Sequence, residues 1–163
     1  MVALALLTAT RVERLCMIEV RPAHQGDAPK VRALLGLLGY DVPVEDVRKR
    51  LSDLAERNTD PVLLAAEADM PVGLIAMHWT IMLHVDKPVA RITALIVCDE
   101  ARGNGVGRAL VDAGADLARQ AGCGLVELTT ALHRADAQAF YKAIGFTASS
   151  LRFYRTLVDE PIH

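Results

Sequence analysis

The residues best suited to chemistry lie in one stretch, Asp99-Glu100-Ala101-Arg102-Gly103-Asn104-Gly105-Val106-Gly107-Arg108. Glycines at 103, 105 and 107 let the main chain approach a ligand closely and turn its amide N–H groups inward. A helical stripe of Val106, Leu110, Ala113, Leu117 and Ala121 begins inside the stretch, so the positive end of a helix dipole falls at the same place. Arg102 and Arg108 add permanently charged, forked donors that suit phosphate oxygens. The combination is fit to hold a pyrophosphate. Two other nucleotide loops fail on their letters. A P-loop needs Gly-Lys followed by Ser or Thr, and this loop has Gly107-Arg108-Ala109. A dinucleotide fingerprint needs glycine where Arg108 stands and follows the first strand of its fold, whereas this loop follows at least three strands.

Other polar residues are candidates for an acceptor. His78, Trp79 and His84 lie along one strand region and could line a cleft; Tyr40, Asp41 and Glu45 occupy a turn whose charge favours a cationic substrate. No spacing among histidines and carboxylates suggests a metal, so no metal site is expected. The three cysteines, Cys16, Cys98 and Cys123, are odd in number and widely spaced, which fits apolar fillers in a reducing, cytoplasmic setting. A formal net charge of -2 gives no basic field for nucleic acid. No apolar run approaches the ~20 residues that span a bilayer, so no membrane partner is expected. Residues 2–7 are apolar but short, with no basic stretch ahead of them, and make a poor secretory signal.

These residues need a scaffold, and 163 residues with 52% hydrophobic content suffice for one domain with a sizeable core. Met17 to Arg21 alternates like a half-buried strand. Asp27 reads as an N-cap for a helix carrying Val31, Leu34, Leu35 and Leu38, ended by Gly39. Val44, Val47, Leu51 and Leu54 form a second helical stripe. Residues 62–67 and 72–83 read as a hairpin around a turn at 68–71, and residues 89–98 as a strand buried on both faces. Beyond the glycine-rich helix come a strand at 125–130, a helix at 135–144 and an alternating strand at 151–157. The order βαα-βββ-α-β-α-β is a mixed α/β domain spanning residues 17–163, and residues 1–16 form an extension ahead of it.

The motif Arg102-x-x-Gly105-x-Gly107 resembles the acetyl-CoA signature Gln/Arg-x-x-Gly-x-Gly/Ala of the GNAT superfamily of N-acetyltransferases. A second segment, Arg134-Ala135-Asp136-Ala137-Gln138-Ala139-Phe140-Tyr141-Lys142-Ala143-Ile144-Gly145-Phe146, resembles that family's later signature. Ala137, Tyr141, Gly145 and Phe146 match it, Arg134 stands where asparagine is common, and His133-Arg134 is similar to members acting on small amines. Gln138 departs from those members, which often carry histidine there. The resemblance implies a GNAT-like fold, a mostly antiparallel mixed sheet flanked by helices, with strands splayed to admit a pantetheine arm. It implies that Leu95, Ile96 and Val97 bond that arm through their backbone. Gly103, Asn104, Gly105, Val106, Gly107 and Arg108 wrap the pyrophosphate, and Arg134, Ala137 and Tyr141 complete the acetyl-CoA site.

Acyl transfer to an amine sets three requirements. An ammonium with a pKa near that of lysine costs about 4 to 5 kcal/mol to deprotonate near neutral pH. The oxyanion needs a donor, for which the resemblance offers a strand amide at Ile96 or Val97. The leaving thiolate needs a proton, and Tyr141 stands at the family position that donates it. Relatives carry a glutamate base where Thr93 stands, and Glu127 matches an alternative base position. Glu127 as a strand-fixing network member and a water chain to solvent are the other options. The implied activity is an acetyl-CoA-dependent N-acetyltransferase for a small amine or a protein amino group; a non-catalytic acyl-CoA sensor is the alternative. The resemblance also implies a homodimer, for which residues 151–157 could supply exchanged strands.

Overall fold

A computed structural model describes residues 18–150, 152–153 and 155–157; the expected extension over residues 1–16 and the domain start at Met17 lie outside these. The chain divides into two compact units, Met1–Glu127 and Leu128–His163. The first holds β1 (Ile18–Pro22), α1 (Ala28–Gly36), α2 (Val44–Ala55), β2 (Val62–Glu67), β3 (Met70–Thr80), β4 (Val89–Val97) and α3 (Val106–Gln120). Strand β5 (Leu125–Leu128) ends at the division, and α4 (Ala135–Ala143) belongs to the second unit. The sheet order is β1-β2-β3-β4-β5, with β1 to β4 antiparallel in sequence order. A helical crossover, α3, joins β4 to β5, the kind of connection that makes the sheet mixed. Among the described residues no helix is long and apolar enough to cross a membrane.

Register explains both faces of the sheet. Leu64, Leu74 and Ile96 stand opposite one another on β2, β3 and β4, and pack with Val31, Leu34, Val47 and Leu51 of α1 and α2. Helix α3 covers the other face. Its Val106 and Leu110 are fully buried, each contributing roughly 1.5–3 kcal/mol. Contact there is tight: a Cβ at Gly73 would lie 3.0 Å from Leu110, 3.1 Å from Val106 and 2.9 Å from the Ile96 carbonyl. The start of α3 is thereby pressed onto the strands that flank it.

Four expectations need correction. Asp27 does not cap α1 through its side chain; instead the His24 ring accepts the Gly26 N–H, and Asp27 accepts the His24 N–H at 3.0 Å around a short 3-10 turn. That frees Asp27 to bind Arg21, which sequence spacing alone did not show. The hairpin turn is tighter than residues 68–71: Ala68 and Asp69 alone make it, with φ 47° and 65°. β3 stops at Thr80, not at residue 83, because β4 opens at Val89 opposite Thr80 and nothing remains to pair. The terminal strand over 151–157 is not formed by its described residues, among which Phe153 and Leu157 are exposed; Leu151 and Tyr154 lie outside the described residues.

Candidate active site

The end of β4 leads into the loop. Between Ala76 and Met77 the β3–β4 register shifts: Ala76 opposes Ala94 while Met77 opposes Ile92, which leaves Thr93 as an extra residue in β4. Thr93 Oγ1 donates to the Ala76 carbonyl at 3.1 Å, so the bulge is held. A bulge bends its strand and re-aims the residues beyond it, here Leu95, Ile96 and Val97. Ile96 is buried, and its two neighbours are half-buried.

After β4, the Cys98 N–H bonds Val72 at 2.9 Å, and a short 3-10 turn, Asp99–Ala101, carries the chain to Arg102. The Arg102 guanidinium meets Asp99 at 2.9 Å and donates through Nε to the Val97 carbonyl at 3.3 Å. Gly103 (φ 77°) and Gly105 (φ 88°) both take the left-handed conformation that costs other L-residues roughly 1–2 kcal/mol. Space around Gly103 is open, with no atom within 4 Å of where a Cβ would point. The Asn104 N–H bonds Ala101 at 3.3 Å, and the Ala109 N–H bonds Gly105 at 3.0 Å, the first turn of α3. Gly105 is the N-cap residue and has no side chain to satisfy the amides of that turn. Val106 is buried in the core, so its side chain is not available to a ligand, and Gly107 and Arg108 follow in the first helical turn. An open turn with two left-handed glycines, a helix N-terminus and Arg102 fits the pyrophosphate of coenzyme A.

In the second unit, Arg134 opens α4 and forks onto Asp136 at 3.2 and 3.3 Å. Gln138 Nε2 donates to the Ala131 and Leu132 carbonyls, and so ties the preceding turn to the helix. Ala137 is half-buried on α4. Tyr141 lies edge-on to Phe140 and Phe146, with ring centroids 5.2 and 5.7 Å apart. Burial pushes its phenol above the usual 10, against a smaller opposing pull from the Arg134 charge.

The remaining candidates separate. Glu127 on β5 is ion-paired with Arg91 on β4 at 3.3 Å. Arg91 stands opposite His78 on β3, and the His78 Nδ1 is 2.8 Å from Asp60 Oδ1. Asp60, Arg91 and Glu127 thus join His78 in one row across the sheet. Asp60 and Arg91 were not singled out from sequence; the only signals were an arginine inside an apolar strand and an acid in a segment that breaks a helix. Trp79 follows His78 in β3 and so faces the other side of the sheet. His84 is exposed in the loop beyond β3, apart from both. Asp41 does not offer a free negative charge, because Arg32 bonds it at 3.1 Å; Tyr40 beside it is 40% exposed. Glu45 is paired with Arg48 at 3.2 Å. Among the described residues no cluster of three or more His, Cys, Asp or Glu is placed to hold a metal.

Comparison with known proteins bears on the family and the fold. Residues 32–146 match the profile of the Acetyltransferase (GNAT) family. The aminoalkylphosphonate N-acetyltransferase of Salmonella typhimurium is 30% identical over 154 residues, covering 93% of this chain and 99% of that protein. A structure described as a transcriptional regulator from Bacillus halodurans C-125 superposes with TM-score 0.77 and 25% identity, covering 86% of this chain and 99% of its own. The aminoglycoside N-acetyltransferase AAC(6')-Iy in complex with CoA shares the fold at TM-score 0.77 and 18% identity, covering 86% and 95% of the two chains. With the glycine turn, the helix start and the second signature in place, the chain belongs to the GNAT acetyltransferase family and is an N-acetyltransferase that uses acetyl-CoA.

Proposed function

We propose that the protein moves the acetyl group of acetyl-CoA to the primary amine of a small molecule, with a protein amino group as the second acceptor class. The observation that carries this reading is the turn of Gly103 and Gly105, φ 77° and 88°, with open space at Gly103, ahead of the N-terminus of α3 and next to Arg102. The relative named for aminoalkylphosphonates supports a short-chain amine as the first acceptor to try, and the aminoglycoside enzyme of like fold supports a polyamine sugar as the second.

Bound acetyl-CoA supplies a thioester carbon open to attack by an amine; the rest falls to the chain. Leu95, Ile96 and Val97 offer backbone groups to the pantetheine arm, and Arg102 with residues 103–108 holds the pyrophosphate. Arg134 and Ala137 serve the cofactor at the start of α4. Tyr141 gives a proton to the leaving sulfur; its raised pKa keeps that proton in place at neutral pH. The amine proton goes to the polar row of the sheet, of which Glu127 is one member through Arg91. His78 and Tyr40 keep exposed polar groups for the acceptor. Pairing of two copies and cytoplasmic residence belong to the same proposal; sedimentation velocity tests the first, and the free Cys98 and Cys123 agree with the second.

Thiol release from acetyl-CoA, followed over 2-aminoethylphosphonate, an aminoglycoside and a lysine peptide, tests the proposal. At least one amine should accelerate release. Tight binding of coenzyme A with no acceleration by any amine would replace the transferase reading with a binding module. A Tyr141→Phe variant should lose roughly 10²-fold in kcat with unchanged cofactor Kd; full activity removes Tyr141 from its role.

A further inference from the structure

Four charged or titratable side chains form a line across one face of the sheet. The ladder between β2 and β3 continues past the strand end, since the Met77 N–H bonds Pro61 at 3.0 Å and the Trp79 N–H bonds Thr59 at 2.7 Å. Asp60 lies between those two bonds, directly opposite His78, so its side chain shares the face of His78. Both carboxylate oxygens of Asp60 are held: Oδ1 is 2.8 Å from His78 Nδ1, and Oδ2 accepts the Thr59 hydroxyl at 2.8 Å. His78 also stands opposite Arg91, which is bridged to Glu127.

The geometry decides the tautomer. Despite its burial, Asp60 is held below the usual carboxylate range by bonds from Thr59 and His78, and so is the acceptor at neutral pH. Nδ1 of a neutral His78 must then carry the hydrogen, which leaves the lone pair on Nε2, at the far side of the ring. The His78 side chain is 44% exposed and the Asp60 side chain only 13%. A sheltered acid thus orients a half-exposed imidazole through Nδ1, leaving Nε2 outside that bond. Glu127, by contrast, shares its carboxylate with the Arg91 guanidinium.

We propose that His78 is the general base of the acetyl transfer and that Asp60 is its positioning residue. This rests on the transferase reading above. Nitrogen of the acceptor ammonium sheds two protons overall. One passes to His78 Nε2 and on to solvent, freeing the lone pair that forms the C–N bond as the C–S bond breaks. The other balances the proton that the sulfur gains. The charged groups facing His78 are Asp60 ahead of β2, Arg91 on β4 and, through Arg91, Glu127 on β5; Arg57 acts on Asp60 from beyond α2.

The test is the pH profile of kcat/KM for 2-aminoethylphosphonate at saturating acetyl-CoA, measured for the wild-type chain and for His78→Gln, Asp60→Asn and Glu127→Gln. His78→Gln should lower kcat/KM about 10²-fold near neutrality and remove the acidic limb of the profile, with coenzyme A affinity unchanged. Asp60→Asn should cost roughly tenfold in kcat with little change in KM, as expected of a residue that positions the base and does not touch the amine. Nitrogen-15 NMR of the His78 ring should show the hydrogen on Nδ1 in the wild-type chain and a weaker preference for it in Asp60→Asn, without any turnover. A wild-type profile and rate in His78→Gln, or loss of the limb in Glu127→Gln instead, overturns the assignment. If the wild-type chain acetylates no amine at all, the functional reading fails, and the ring-nitrogen spectrum still reports whether Asp60 fixes the tautomer.

Discussion

Asp27→Asn gives a measurable account of what holds α1 to the sheet. Asp27 is 3% exposed, and it accepts two bonds from the Arg21 guanidinium at 2.9 and 2.8 Å and one from the His24 N–H at 3.0 Å. The Arg21 bonds, helped by the His24 amide and opposed by desolvation, hold its pKa at about 2, down from 3.8. That difference corresponds to about 2 kcal/mol of preference for the ionised form in the folded chain. Asparagine keeps the shape but turns a donor toward Arg21; with Arg21 itself 31% exposed, water recovers part of the loss. The expected cost is therefore about 2–3 kcal/mol, at the low end for breaking a buried pair. The sign follows from the lowered folded value. The stabilisation is complete above 3.8 and disappears as pH falls from there through about 2. Urea unfolding of wild type and variant, run from neutrality down to pH 2, should show a gap of about 2–3 kcal/mol at pH 7 that shrinks by about 2 kcal/mol at the acid end. A gap that stays constant with pH would mean that shape, not charge, is what Asp27 contributes.

Gly105→Ala should fold with a penalty of roughly 1–2 kcal/mol, since φ is 88° there, and should weaken coenzyme A binding more than tenfold by calorimetry; an unchanged Kd would move the cofactor away from this loop. Ala68→Asn, at φ 47° in the two-residue turn between β2 and β3, should raise stability by about 0.5–1 kcal/mol in thermal melts, and a lower Tm would refute the strain argument. With Tyr141 as proton donor and its phenol pushed above 10 by burial, the alkaline fall in kcat should begin only above pH 10 and be absent in Tyr141→Phe. A fall that sets in near pH 8 would assign the acid to another group.

Much of the scaffold was legible because its signals are local. Gly39, Gly122 and Gly145 mark helix ends with φ 85°, 79° and 100°, and the stripe from Val106 through Leu110 already names the face that α3 buries. The errors fell where a partner decides the outcome. β3 stops at Thr80 because β4 begins opposite it at Val89, and no property of Ile81 or Leu83 announces that. Alternation over residues 151–157 reads as a strand, yet alternation states only that two faces differ, and the described residues there are in no strand. Asp27 has the letters of an N-cap; it became a buried anion because Arg21, one strand earlier, reaches it with both guanidinium nitrogens.

The same distinction divides the site. The cofactor loop is contiguous, so glycine spacing, flanking arginines and the start of a helix could all be read together. The polar row is not contiguous: Asp60, His78, Arg91 and Glu127 come from four segments, and only the strand register aligns them. A pantetheine arm can be met by backbone that any strand possesses, so its side chains are free to vary. A base must bring a particular nitrogen to a particular place, and here a bulge at Thr93 and the register of β3 determine where that is. Moving the register by one residue would turn His78 to the face of α3 and pull it from Asp60, while leaving the glycine turn intact. A chain so altered should still bind coenzyme A but acetylate slowly, which makes the pairing of β3 with both of its neighbours, β2 and β4, the feature that separates cofactor capture from catalysis.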